Sequence, residues 1–168
     1  MPAQLQRPAA RAPRHVADGE LVPVFHEQSR EGLRRFYIEA WRKRQRGLPM
    51  QPLERQIAEV IAEHPEYSPL FEVADDADVV SAEFPPETGR ENPFLHLGLH
   101  LAIREQVSTD RPAGITAVHA ALVQRLGNAH EAEHAMLETL GEVLWTAQRS
   151  GVAPDENAYL ERLRKLLG

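Results

Sequence analysis

Two pairs of histidines, each pair spaced by four residues, are the side chains of this chain best suited to chemistry. His96 and His100 stand in Asn92-Pro93-Phe94-Leu95-His96-Leu97-Gly98-Leu99-His100-Leu101-Ala102-Ile103, and the second pair in His130-Glu131-Ala132-Glu133-His134. On an α-helix, residues four apart share a face, so each pair can aim two imidazoles at one spot. Neutral imidazole is the commonest metal ligand, and two facing helices could supply four of them. At about 100° per residue, Glu138 continues the stripe of His130 and His134 one turn on. The expected metal ligands are therefore His96, His100, His130, His134 and Glu138. A carboxylate matters because four neutral imidazoles leave a buried dication uncompensated. Glu131 and Glu133 flank the stripe and are the candidate catalytic proton carriers. Glu105 points away from the His96/His100 face.

His130-Glu131-Ala132-Glu133-His134 also fits the H-E-x-x-H pattern, in which two histidines bind zinc and the glutamate activates water. The β-sheet and downstream third ligand of that setting are not evident, although His96 or His100 could act as the third ligand. A metal-free alternative makes the four histidines core residues satisfied by Glu138, Glu131 or backbone carbonyls. Burying four imidazoles is costly without a shared reason, because each ring needs both a donor and an acceptor partner. His64, in Glu63-His64-Pro65-Glu66-Tyr67, lies on the apolar side of its helix. It is open to three readings: a further ligand, an outer group of the site, or a helix cap. His119 reads as packing, Trp145 as core, and His15 and His26 fall in the N-terminal tail.

Absent cysteine excludes disulfides, iron–sulfur clusters, thiolate zinc fingers and a cysteine nucleophile. The expected cofactor is a divalent metal ion (iron, zinc or manganese) held by histidine, carboxylate and water. The net charge of −6 argues against nucleic acid as a partner. No apolar run approaches the ~20 residues that cross a membrane, and no secretory leader is recognisable, so a cytoplasmic protein is expected.

The elements that must position these residues read as helices throughout. Residues 1–28, rich in Pro, Ala and Arg, read as a disordered extension, and 29–168 as a single helical-bundle domain. The first helix is expected from Glu31 to Arg46, with Leu33, Phe36, Tyr37, Ala40 and Trp41 inward. Its opposite face carries Arg34, Arg35, Arg42, Lys43 and Arg44, a basic surface able to dock on the chain's own acidic segment. A second helix lies between Pro52 and Pro65. Residues 71–91 form a long acidic connection, with seven acids against Arg90 alone.

Asn92-Pro93 starts a helix through Gln106 whose first eleven residues carry no acid, Lys or Arg, which places it centrally. The alternation of Leu95, Leu97, Leu99 and Leu101 also matches a strand. A fourth helix opens at Arg111-Pro112 and ends at Gly127. A fifth runs from Ala129 to Arg149 behind Asn128, and the last starts at Pro154-Asp155. The fold class is thus all-α, a bundle of about six helices with a histidine-rich site between two central ones.

Several longer strings add a resemblance: Glu39-Ala40-Trp41-Arg42-Lys43, His64-Pro65-Glu66-Tyr67, Asn92 to Gln106, Arg111-Pro112-Ala113-Gly114-Ile115, and His130 through Gln148. Through them the chain resembles an uncharacterised proteobacterial family of small proteins known only as a domain of unknown function. The resemblance runs from about Arg34 to Leu166 and includes all four paired histidines and Glu138. It implies a small bacterial cytoplasmic protein and carries no activity.

Three functions stand from the residues. The first is a metal-binding bundle acting as a non-haem iron (or manganese) oxidoreductase or an oxygen or metal sensor, open to a small-molecule ligand or substrate. The second is a zinc hydrolase using His130, Glu131 and His134. The third is a metal-free interaction module.

Overall fold

A computed structural model describes residues 29–72 and 76–168. The expected extension over 1–28 lies outside the described residues. These fold into eight helices: α1 (Arg30–Gln45), α2 (Pro52–Ala62), α3 (Ser68–Phe71), α4 (Asp76–Ser81), α5 (Pro93–Thr109), α6 (Ile115–Leu126), α7 (Ala129–Ser150) and α8 (Glu156–Lys165). No strand occurs among the described residues. No helix among them is long and apolar enough to cross a membrane.

The strand pattern of Leu95 to Leu101 yields to a helix because of its cap. The Asn92 side chain accepts hydrogen bonds from the backbone N–H of Phe94 and Leu95 at 3.1 and 3.3 Å, and Pro93 occupies the first turn, where a missing N–H costs nothing. A helix that is apolar all round belongs inside a protein. Accordingly α5 serves two cores. Phe94 and Leu97 pack into one cluster with Tyr37, Ile57, Ile61 and Phe71. Leu99 and Ile103 pack into another with Ile115, Leu122, Met136 and Leu163. The first cluster is built from α1 to α4, and the second from α6 to α8.

The six long helices match expectation, with one displaced start. α6 begins at Ile115 rather than at Arg111-Pro112. The Asp110 carboxylate accepts from the N–H groups of Gly114 and Thr116 at 3.0 and 3.1 Å. Gly114 takes a left-handed φ of 97°, which glycine adopts freely and which keeps it outside the helix.

The acidic connection contains α3, α4 and one turn of 3-10 helix at Pro86–Thr88. These short elements form because Phe71, Val79 and Val80 are apolar enough to close the first core. The basic face of α1 meets them. Arg30 pairs with Glu83 at 2.6 Å. Arg34, expected on a solvated face, is instead buried. Its guanidinium donates to the carbonyls of Val80 and Ala82 at 2.8 and 2.6 Å and lies over the rings of Phe84 and Phe94. Two carbonyls and two aromatic faces draw the charge inward.

Trp145 also departs from expectation. It is 58% exposed, and Arg149 covers its ring at 4.7 Å. The buried face of α7 runs through Ala132, Glu133, Met136 and Leu140, and continuing that stripe by three or four residues passes Trp145 by.

Replacing Arg34 with Met should keep the packed stem but strand the Val80 and Ala82 carbonyls, at a cost of about 2 kcal/mol. Urea denaturation should show that loss as a lower midpoint with an unchanged slope.

Candidate metal centre

The seam between the two cores gathers five imidazoles. His96 and His100 sit one turn apart on α5, and His130 and His134 one turn apart at the start of α7. His64 follows the end of α2, one position past its C-cap Glu63. It continues the buried α2 stripe of Ile57, Val60 and Ile61 and is itself fully buried. The site therefore draws on three elements rather than the two central helices alone.

Each of three rings is fixed by a partner at Nδ1. His64 Nδ1–H donates to the Val60 carbonyl at 2.7 Å. His96 Nδ1 meets Glu91 Oε1 at 2.6 Å, and the Tyr67 hydroxyl donates to Glu91 Oε2 at 2.6 Å. His100 Nδ1 meets Glu133 Oε2 at 2.7 Å, while Arg104 Nε donates to Glu133 Oε1 at 3.0 Å. Arg104 also pairs with Glu63. Burial pushes both carboxyls up, but hydrogen bonds outweigh it and hold both below the usual range: Tyr67 and His96 for Glu91, His100 and Arg104 for Glu133. Ionised carboxylates and a carbonyl only accept, so all three Nδ1 atoms carry the proton.

That tautomer turns the Nε2 lone pairs inward. The Nε2 atoms of His64 and His100 are 3.1 Å apart, as are those of His64 and His96; His96 and His100 are 3.2 Å apart. His134 Nε2 lies 3.2 Å from His96 Nε2. One ring nitrogen from each of His64, His96, His100 and His134 falls within 4.8 Å of all the others. Burial also lowers the pKa of His64 and His134, with neighbouring imidazoles adding to the effect, so these rings favour the neutral, lone-pair form.

The donor set fits a metal. A tetrahedral ion with nitrogen ligands at ~2.0–2.1 Å requires nitrogens ~3.3 Å apart. The observed spacings of 3.1–3.2 Å among His64, His96 and His100 sit close to that value. Imidazole donors held by carboxylate or carbonyl at the opposite nitrogen are also the usual outer arrangement of metal-bound histidine.

Among the expected ligands, His96, His100 and His134 belong to this group. His130 stands beside it, with ring centroids 4.3 Å from His134 and 4.8 Å from His64. Glu138 is exposed. It is not among the residues whose ligand atoms converge here. Of the two candidate proton carriers, Glu133 is buried against His100 and Glu131 is exposed. Sequence reasoning left His64 undecided and passed over Glu91, Tyr67 and Arg104. His64 did carry a signal, since it extends an apolar stripe into a His-Pro helix end. Glu91 and Arg104 carried none, because their roles depend on which helices face each other.

The Asn92 cap orients the turn that bears His96. Asn92→Ala should cost about 1 kcal/mol, seen as a lower thermal midpoint with helix content retained by circular dichroism.

No curated protein and no solved structure matches this chain. A family model described as a domain of unknown function (DUF1841) matches residues 29–165, a span that holds both cores and all five clustered histidines, and the chain belongs to that family.

Proposed function

We propose that this protein binds one transition-metal ion through His64, His96, His100 and His134, and that the ion is the working centre of a redox or sensing protein. The observation that carries the reading is the inward convergence of four Nε2 atoms, three of them on rings whose Nδ1 partners are acceptors. Lone pairs at 3.1–3.2 Å repel one another, and a shared cation turns that repulsion into bonding.

An imidazole-rich set suits iron or zinc better than manganese, which favours oxygen donors. Iron would supply one-electron chemistry, and zinc Lewis acidity. The hydrolytic reading requires His130 and Glu131 at the ion. The exposure of Glu131 and the position of His130 outside the convergent group weigh against it, so a redox or sensing role with iron is preferred to zinc hydrolysis.

The chain's own residues have definable parts in this reading. Val60, Glu91 and Glu133 hold three rings in one tautomer. Arg104 shares Glu133 between two donors, which keeps that carboxylate ionised and aimed at His100. Glu91 and Glu133 place negative charge one imidazole away from the ion, replacing the direct compensation expected from Glu138.

Elemental analysis of the untagged protein, purified without chelator, should find near-stoichiometric iron in the wild type. The His100→Ala/His134→Ala variant should lack it. Zinc lost in the same way would keep the site and overturn the redox reading. A folded wild type that neither carries nor takes up metal would overturn both. Glu133→Gln should lower metal affinity ~10–100-fold while leaving the four ligands in place, measured by competition with a chromophoric chelator.

A further inference from the structure

His130 is the one imidazole of the five that stands apart from the convergent nitrogens, yet its ring packs against three of the other four. Its ring lies 4.3 Å from His134 and 4.8 Å from His64, and parallel to His100 at 5.4 Å with a 6° interplanar angle. His64 and His100 are fully buried, whereas the side chain of His130 is 31% exposed and that of Glu63 42%. His130 therefore walls the cluster on its solvent side.

Its Nδ1 is buried without a hydrogen-bond partner. The nearest carboxylate oxygen, Glu63 Oε2, is 3.6 Å away, and Arg104 also engages Glu63. A buried ring nitrogen left unpaired carries an uncompensated desolvation penalty. The Nδ1 atoms of His64, His96 and His100 meet their acceptors at 2.6–2.7 Å. His130 is thus a polar group at the metal centre whose hydrogen bonding the protein itself leaves incomplete.

From this geometry we infer a small-ligand position at the metal, bordered by His130, which takes a monoanion of few atoms and hydrogen-bonds it through the imidazole. The inference rests on the metal reading above. The coordinating atoms of the four histidines are all neutral, and Glu91 and Glu133 compensate the ion only through an intervening imidazole while each also serves a second donor, Tyr67 and Arg104. An anion at the ion is therefore electrostatically favoured over a further neutral donor. Ring centroids 4.3–5.7 Å apart among the four ligand imidazoles and from His130 to three of them restrict the ligand to a few atoms. His130 touches the ligand in this arrangement and does not hold the metal.

The test uses the full chain loaded with cobalt(II) and titrated with azide, followed by visible absorption. Wild-type protein should take up about one equivalent of cobalt, and azide should shift its bands. His130→Ala should retain the cobalt and lose azide affinity by ~10-fold or more, and His130→Gln, which restores a hydrogen-bonding group, should recover part of it. Loss of cobalt from both variants would make His130 a ligand and overturn the inference. Unchanged azide affinity in His130→Ala, or a cobalt-loaded wild type blind to azide, would overturn it too. A wild type that binds no cobalt would instead remove the metal reading on which it stands.

Discussion

The fold hangs on a conflict that α5 has to resolve. Its apolar residues face both cores, so it must sit between them, yet it carries His96 and His100 into the same interior. Imidazoles are tolerated there only if each nitrogen has a partner. Three neighbouring segments answer the α5 histidines, with acceptors at Nδ1 and further imidazoles on the Nε2 side. The end of α2 supplies His64, the segment before α5 supplies Glu91, and the first turns of α7 supply His130, Glu133 and His134. The seam between the two cores is polar for this reason, and the helix pairs on either side are placed by it.

The polar seam has two layers with opposite tasks. The inner layer is made of neutral nitrogens, which are poor at resting near one another without a cation. The outer layer is made of ionised carboxylates, one carbonyl and one guanidinium, each matched to a hydrogen-bond partner. Partner choice at Nδ1 decides what Nε2 can do, so the outer layer sets the chemistry of the inner one. Arg104 illustrates the economy of this design. It joins Glu133 to Glu63 and so links the α5–α7 contact to the end of α2, next to His64. A change at that one guanidinium would disturb all three elements of the site.

The first core shows a parallel solution for charge. Arg34 enters an apolar region between α1 and α4 and is kept there by two carbonyls and two aromatic rings. The acidic connection that looked unstructured from its composition thereby gains a fixed path over α1. Composition describes average solubility, while three apolar residues in the right places, Phe71, Val79 and Val80, suffice to anchor a mostly acidic stretch.

By itself the sequence determined the all-helical class, the six long helices and their caps, because those follow from local rules: apolar spacing, Asn92 and Asn128 as N-caps, and the prolines and glycines that end segments. The i, i+4 spacing likewise placed His96 with His100 and made histidine the element of interest. Tertiary structure alone decided the membership of the site. His64 lies 32 residues from its partner His96 and 36 from His100, and no periodicity spans such gaps. Helical angles put Glu138 on the histidine stripe, but packing left it exposed and outside the convergent group. Glu133, Glu91 and Arg104 became the supporting groups because long-range packing set which turns oppose one another, and a hydrogen bond forms only where that packing brings donor and acceptor within about 3 Å.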